Sequence, residues 1–340
     1  MRIFIQLDDV YVSNLSILEP ILLDLLGMSI AEHSIYLVST LPKPTEIKGA
    51  EWVHPDATKQ LIAASSSNVL IHFSPVALWA KQLPSYFIPL TLPHLTGHLS
   101  WLKSLIEKKR FNKTMQAAKK VLALDEWHAQ NRLGVERLYL EKAPLPSFEW
   151  SQLAPVRSAL TDGNQYLLAF VDTQDMIPIV KAFSVFKKWQ LSTMSLVFVL
   201  DTEAEKDKAA NLLLGYKYRD AVELVVIANF TLEWIAAAYL TIFSAMNSHR
   251  FQFLTYTMRY QIPFLMHQDL TDNHNAITEM ASAGEYFDFK QPDLLANNFK
   301  LYYKDEMYRA AKGVEVQKAF QSELSRFQQK ATIVWPRDLV

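Results

Sequence analysis

Several apolar, β-branched runs of the sequence end in side chains that could act as acids, bases or ligands. In open α/β sheets the carboxyl ends of parallel strands meet at one edge, and ligands bind there. By that rule the first half of the chain offers the candidates His72, His94, Asp125 and Glu126. The second half offers Asp172, His249 and Arg250.

Each candidate also has a purely structural interpretation. A histidine at a strand end is often a hydrogen-bonded residue of the framework. Asp125 and Asp172 each precede a helical pattern, so either carboxylate could cap a helix. Arg250 could be a solvated loop residue, or it could bring positive charge to a ligand. The residue types alone leave these alternatives open.

Composition and motif searches exclude several other classes of chemistry. The chain has no cysteine, which excludes disulfides, thiolate zinc sites and a thiol nucleophile. Its net charge of -1 does not indicate a nucleic-acid partner. It contains no P-loop, no G-x-G-x-x-G, no H-E-x-x-H and no G-x-S-x-G. We therefore expect no metal and no cofactor, and a cytoplasmic location.

The elements that would position the candidates alternate between strand and helix patterns. Apolar residues spaced three and four apart, such as Ile179, Val180, Phe183 and Phe186, predict a helix with one buried face. This alternation favours βαβ units and parallel sheets, an α/β fold. The expected strands are Arg2–Leu7, Ser34–Val38, Val69–Phe73, Phe87–Leu92, Val121–Leu124, Tyr166–Val171, Leu196–Leu200, Val222–Ile227 and Leu240–Phe243.

The length of 340 residues suits two hydrophobic cores. Ala143–Asp162 contains Pro144, Pro146 and Pro155, so we expect it to be irregular and to link two domains. The predicted domains are residues 1–150 and 160–313. A last segment, 314–340, contains an amphipathic helix at roughly Val314–Gln329.

Five segments resemble the GT-B glycosyltransferases of the retaining family 4 type. In the second half they are Tyr166–Trp189, Leu213–Ser248, Phe253–Gln268 and Ala283–Phe320, and in the first half Lys120–Val135. The resemblance implies two Rossmann-like domains whose parallel sheets face each other across a cleft. It also implies that the N-terminal domain takes the acceptor, that the C-terminal domain takes the donor, and that 314–340 returns to the N-terminal domain.

The residues with which this family binds its donor are missing. Two glutamates eight positions apart contact the donor in the family, and counting back from Pro263 places Ser248 and Tyr256 at their positions. The family's Arg and Lys after the first strand are replaced by a loop that carries Asp172 and Asp175. The resemblance makes Asp172, Ser248, His249, Arg250 and Tyr256 the donor-binding candidates.

Two functions fit this pattern. One is a degenerate member of bacterial-type glycan biosynthesis that binds an active glycosyltransferase, a second copy of itself or a glycan. The other is a divergent transferase that moves a sugar from a nucleotide sugar, as substrate, to a glycan or lipid-linked acceptor. A third alternative is an α/β protein unrelated to the family.

The segment His98–Lys120 is the one strongly basic stretch. It holds seven Lys and Arg residues, among them Lys108, Lys109 and Arg110, against a single acid, Glu107. Apolar residues are interleaved with them, and family members often take acceptors carried on membrane lipids. We expect either a face that contacts the inner membrane surface peripherally or a surface helix that packs on its own domain.

Overall fold

The computed structural model describes residues 2–7, 22, 25, 33–40, 50–63, 68–73, 83–88, 109, 111–123, 129, 136–139, 145, 147–190, 192–270 and 282–334. The chain divides into two compact units. The N-terminal unit is Met1–Pro144 together with Leu324–Val340, and the C-terminal unit is Leu145–Glu323.

The N-terminal unit is built on a parallel sheet of eight strands in the order β14-β7-β6-β5-β4-β1-β2-β3. Alternate side chains point to opposite faces, so Ile3 and Ile5 join one cluster while Phe4 stacks on Tyr36 in another. The elements are β1 (Arg2–Gln6), β2 (Ser34–Val38), β3 (Glu51–Val53), α1 (Pro55–Ala63), β4 (Asn68–His72), β5 (Ser85–Phe87), β6 (Lys120–Ala123), β7 (Glu136–Tyr139) and β14 (Ile333–Val334).

The C-terminal unit is built on a parallel sheet of six strands in the order β10-β9-β8-β11-β12-β13. Its strands are β8 (Tyr166–Phe170), β9 (Ser195–Leu200), β10 (Val222–Val226), β11 (Leu240–Phe243), β12 (Phe264–His267) and β13 (Glu285–Phe287). Its helices are α2 (Trp150–Thr161), α3 (Met176–Gln190), α4 (Glu203–Leu212), α5 (Leu232–Ala236), α6 (Ser248–Arg259), α7 (Pro292–Lys304) and α8 (Glu306–Gln329).

Burial on both faces explains why the central strands of the C-terminal unit read as continuous apolar runs. Every residue of β8 and β9 is buried. Parallel sheets are usually covered on both sides by helices, so their strands do not alternate between apolar and polar residues. Helix α3 covers one face of this sheet with four apolar side chains, and their spacing is what predicts the helix from the sequence. They are Ile179, Val180, Phe183 and Phe186.

The predicted α/β fold with two parallel sheets is confirmed, and most predicted strands agree with the structure to within a residue at each end. The strand expected at Phe87–Leu92 is shifted, because β5 ends at Phe87. The apolar runs do not predict β3, β7, β12, β13 or β14, which have four residues or fewer. Such short strands offer too few positions for a periodicity to be recognised.

The expectation that Ala143–Asp162 is irregular throughout is wrong. Residues Trp150–Thr161 form α2 even though Pro155 lies inside the helix. A capping box joins Glu149 and Gln152 at its start, and the buried Arg157 donates to the Ala237 carbonyl across 3.3 Å. These contacts offset a proline cost of about 3 kcal/mol in a helix interior.

The final helix is longer than predicted, since α8 starts at Glu306 rather than near Val314. The boundary between the two units falls within this helix, after Glu323. Beyond it, Ile333 and Val334 pair in parallel with Leu138 and Tyr139 of β7. Strand β14, the last strand among the described residues, therefore joins the sheet of the N-terminal unit.

Candidate functional site

The candidate site lies at the carboxyl edge of the sheet in the C-terminal unit. Strands β8, β9 and β10 extend the sheet in one direction and β11, β12 and β13 extend it in the other. The order therefore reverses between β8 and β11, which makes this pair of strands the switch point of the sheet. Open α/β sheets bind ligands in the crevice at such a switch point.

Arg250 is the central side chain of this edge. Its backbone N–H donates to the Asn247 side chain across 2.9 Å, which caps α6 and places Arg250 in the first helical turn. The Arg250 side chain is 3% exposed, and its Nη1 donates to Asp172 Oδ1 across 2.6 Å. Its Nη2 donates to the Val171 carbonyl across 3.1 Å and lies 3.5 Å from Asp201 Oδ2.

These contacts leave the positive charge of Arg250 fully compensated. Asp172 follows β8 and Asp201 follows β9, so two carboxylates from neighbouring strand ends share one guanidinium. Both acids are partly exposed, with side-chain exposures of 46% and 32%. The surface of this cluster is therefore acidic, because the cation is buried and the carboxylates reach solvent.

A second pair of side chains lies at the same switch point. Ser244, just after β11, donates its hydroxyl to Asp175 Oδ2 across 2.8 Å. Burial raises the pKa of Asp175 from its ordinary value, and the hydrogen bond from Ser244 partly offsets that rise. The Asp175 carboxyl group of this pair could accept a proton from a bound hydroxyl group or donate one to it.

His267 ends β12 and lies at this edge as well. Its ring stacks on Phe289 at 4.2 Å between centroids, and its Nδ1 is 3.8 Å from Asp269 Oδ2. That distance is too long for a hydrogen bond. His267 is buried, and Phe289 covers one face of its ring.

The structure brings together two of the candidates from the second half of the sequence. Asp172 does not cap the next helical turn with its side chain, because it binds Arg250 instead. Arg250 is buried in a helix and is not a solvated loop residue. His249 is partly buried beside it in α6.

The two positions that replace the family's glutamates both lie on α6. Ser248 is the first residue of the helix, and its side chain is not among those described. Tyr256 lies more than two turns further on and is 3% exposed. Neither position supplies a carboxylate to the edge.

In the first half of the chain the structure describes one of the four candidates. His72 lies at the end of β4, is fully buried and stacks on Phe87 with ring centroids 4.9 Å apart. This is the environment of a core residue. His94, Asp125 and Glu126 lie outside the described residues.

Sequence reasoning does not identify Asp201, Ser244 or His267. Asp201 directly follows the predicted strand Leu196–Leu200. The rule that ligands bind at the carboxyl ends of parallel strands, here called the strand-end rule, could therefore have found it. Ser244 likewise follows a predicted strand. His267 ends β12, which the apolar runs do not single out.

Two further classes of site are not found in the part of the chain that the structure describes. No three metal-ligating side chains come together there. Among the described helices, none combines the length and the apolar character needed to cross a bilayer.

No protein-family model and no curated protein matches this sequence. Solved structures do match the fold along nearly the whole chain. WaaG, a glycosyltransferase involved in lipopolysaccharide biosynthesis, has a TM-score of 0.59 at 12% identity and covers 98% of this chain and 100% of its own. Anabaena HepE, solved in complex with UDP and glucose, has a TM-score of 0.61 at 12% identity over 97% of each chain.

A sucrose-phosphate synthase from Thermosynechococcus elongatus is similar to the same degree. Its TM-score is 0.58 at 11% identity, with 97% of this chain and 96% of its own covered. The chain therefore has a GT-B glycosyltransferase-like fold. At these identities the likeness establishes the fold alone.

Proposed function

We propose that this protein is a degenerate GT-B protein that does not use a nucleotide-sugar donor. In this proposal it acts in glycan biosynthesis by binding an active glycosyltransferase or a glycan. The observation that carries the proposal is the compensation of Arg250 by Asp172 and Asp201. Arg250 is the one cation that we identify at the carboxyl edge among the described residues.

Electrostatics opposes the binding of a diphosphate at this edge. A nucleotide diphosphate brings roughly two negative charges, which helix N-termini and cationic side chains normally receive. Arg250 could receive them only by giving up its hydrogen bond to Asp172, and the two carboxylates would then repel the ligand.

The residues at the positions of the family's glutamates also argue against binding of a nucleotide-sugar donor. Neither Ser248 nor Tyr256 can offer a carboxylate to the ribose or the sugar. A hydrogen bond to a charged group contributes about 1.5–3 kcal/mol. Losing two of them would weaken binding by about a hundredfold or more, since 1.4 kcal/mol is a factor of ten.

Calorimetric titration with UDP-glucose, GDP-mannose and CMP-linked sugars tests this proposal. We expect no saturable binding in the micromolar range and no release of free nucleotide from any donor. HepE, which has the same fold and was solved with UDP and glucose, provides the positive control.

The Asp172→Asn variant sharpens the test because it removes one of the two carboxylates that hold Arg250. If ion pairing excludes the anion, this variant should bind inorganic diphosphate more tightly than the wild-type protein does. Micromolar binding of a donor by the wild-type protein that disappears in Arg250→Ala would overturn the proposal. It would instead favour the divergent transferase, with Arg250 as its diphosphate ligand.

A further inference from the structure

Strand β10 forms an open edge of the sheet in the C-terminal unit. It has five residues and pairs with β9 on one side, while no described strand lies on its other side. The other edge strands of the two described sheets, β3, β13 and β14, have only two or three residues each. Short edge strands protect a protein against unwanted pairing, whereas a longer open edge is a template for another strand. Of the described edges, β10 is therefore the one best suited to accept a further strand.

The backbone groups of β10 alternate between β9 and the open side. In a parallel ladder the N–H and C=O groups of one residue point to the same side, and those of the next residue point to the other side. Ser195 of β9 donates its N–H to the residue directly before β8, so it faces β8, and the next residue, Leu196, faces β10. Leu196 is in register with Val222, so it bonds to the residues on either side of Val222. Val222, Leu224 and Val226 therefore face the open side.

Four backbone groups on this open side have no hydrogen-bond partner within the described part of the chain. Val222, Leu224 and Val226 together present six groups there. Local turns use two of these groups. The Val222 N–H donates to the Arg219 carbonyl, and the Val226 carbonyl accepts at the start of the 3₁₀ turn Ile227–Asn229. The carbonyl of Val222, both groups of Leu224 and the N–H of Val226 remain.

We infer that β10 pairs antiparallel with β10 of a second copy of this chain, around a two-fold axis at Leu224. In that register Leu224 faces Leu224 of the other copy, and Val222 faces Val226. Directly opposite residues of an antiparallel ladder exchange their hydrogen bonds. Each of the four unused groups then meets one that complements it, since Leu224 donates to Leu224 and Val226 donates to Val222. The two groups that local turns already use face each other and need no further partner.

The side chains of β10 are compatible with this register. Glu223 is the one charged residue of the strand, and it faces Val225 of the other copy. The pairing thus avoids placing two like charges directly opposite each other, which would be destabilising. On the face that bears Leu224, Leu214 is 68% exposed and lines the same surface depression as Leu224. The apolar surface available to a second copy therefore extends beyond the strand itself.

This inference concerns the outer edge of the sheet and does not depend on whether a donor binds at Arg250. Sedimentation velocity of the full chain over a range of concentrations tests it. We expect a dimer with twice the 39.0 kDa mass of one chain. Leu224→Arg and Leu224→Glu each place two like charges opposite each other at the two-fold axis. Each variant alone should therefore dimerise about tenfold or more weakly than the wild-type protein.

An equimolar mixture of these two variants tests the position of the axis. Only a heterodimer places the introduced arginine opposite the introduced glutamate, so the mixture should recover the mass of a dimer. An extended segment of a different protein bound at β10 would not produce this recovery. Leu301→Arg and Leu301→Glu are the matched controls, since Leu301 is 41% exposed in the same unit. Each control should dimerise as the wild-type protein does.

Three results would overturn the inference. They are a wild-type protein that stays monomeric up to about 0.1 mM, single Leu224 variants that dimerise as the wild-type protein does, and a mixture that stays monomeric. If the variants do not fold, hydrogen exchange of the wild-type protein at low and high concentration replaces them. The N–H groups of Leu224 and Val226 should exchange about tenfold or more slowly at high concentration, and equal rates would contradict the inference. Donor binding that is lost in Arg250→Ala contradicts only the proposed function.

Discussion

Arg250 Nη1 donates to Asp172 Oδ1 across 2.6 Å and so joins the first turn of α6 to the end of β8. The two residues are 78 positions apart in the chain. The pair holds α6 against the end of β8, at the edge of the sheet where the order of the strands reverses. The first prediction concerns its contribution to stability.

Replacing Asp172 with Ala should lower the free energy of unfolding by about 2 kcal/mol or more, because it leaves a buried guanidinium poorly compensated. Asp201→Ala should cost about 1 kcal/mol or less, because its contact with Arg250 is longer, at 3.5 Å, and partly exposed. Urea denaturation measures both changes.

Asp220→Ala is the control for this series, since the Asp220 side chain is 93% exposed. Its effect should stay within about 0.5 kcal/mol. An Asp172→Ala variant as stable as this control would contradict the assignment of the pair.

A second prediction concerns Gly313 in α8. A Cβ atom at this position would lie 2.1 Å from the Gln261 carbonyl oxygen, which belongs to the backbone and cannot rotate away. Gly313→Ala should therefore destabilise the protein by about 1–3 kcal/mol, the range expected for overpacking.

The thermal unfolding midpoint tests this expectation. Gly215→Ala is the matched control, because nothing lies within 4 Å of its Cβ position. An equal midpoint for the two variants would show that α8 does not approach the turn at Gln261 this closely.

The third prediction follows from the raised pKa of Asp175, which has burial as its main cause. A carboxyl group whose pKa is higher in the folded state favours folding while it is protonated. That contribution is complete below its unfolded pKa of about 4 and is lost as the pH rises through the folded pKa. The groups that act on its titration are Ser244, Asp172, His267 and Arg250.

Asp175→Asn keeps the shape of the side chain and removes its titration. The stability of the wild-type protein relative to this variant should therefore fall as the pH rises above about 4. Urea denaturation at a series of pH values measures this difference. A difference that is constant with pH, or that rises with it, would contradict the raised pKa.

The fourth prediction concerns the basic segment His98–Lys120, most of which lies outside the described residues. Within it, Lys109 and Lys113 are exposed. If the segment contacts anionic lipid, co-sedimentation with phosphatidylserine vesicles should fall as salt rises, since charges are screened over about 8 Å at physiological ionic strength.

Replacing Lys108, Lys109 and Arg110 with Glu should abolish this binding. Lys208→Glu is the control, because Lys208 is exposed on α4 in the other unit. Binding that does not depend on salt, or no binding to anionic vesicles, would rule out a membrane role for the segment.

The sequence is most informative where local pattern and buried surface coincide. Strands β8 and β9 are continuous apolar runs because both faces are covered, so their bounds are predicted almost to the residue. Pro155 shows where local reasoning fails, since a residue that breaks most helices is tolerated in α2. The capping residues and the Arg157 contact that stabilise α2 depend partly on tertiary structure.

The site was predictable as a set of positions but not as a set of contacts. The strand-end rule finds Asp172, and it also points to Arg250. It cannot show that the two residues bind each other, because that depends on which strands are neighbours. Arg250 follows Asn247, Ser248 and His249, a polar stretch typical of solvated loops, yet tertiary contacts bury it.

The pairing of β14 with β7 also has a consequence for synthesis on the ribosome. All six strands of the C-terminal sheet lie between Tyr166 and Phe287, so that sheet can be complete before Ile333 and Val334 are translated. The N-terminal sheet begins first but waits for these two residues to cover the open edge of β7. The unit that is translated first is therefore the one whose sheet is finished last.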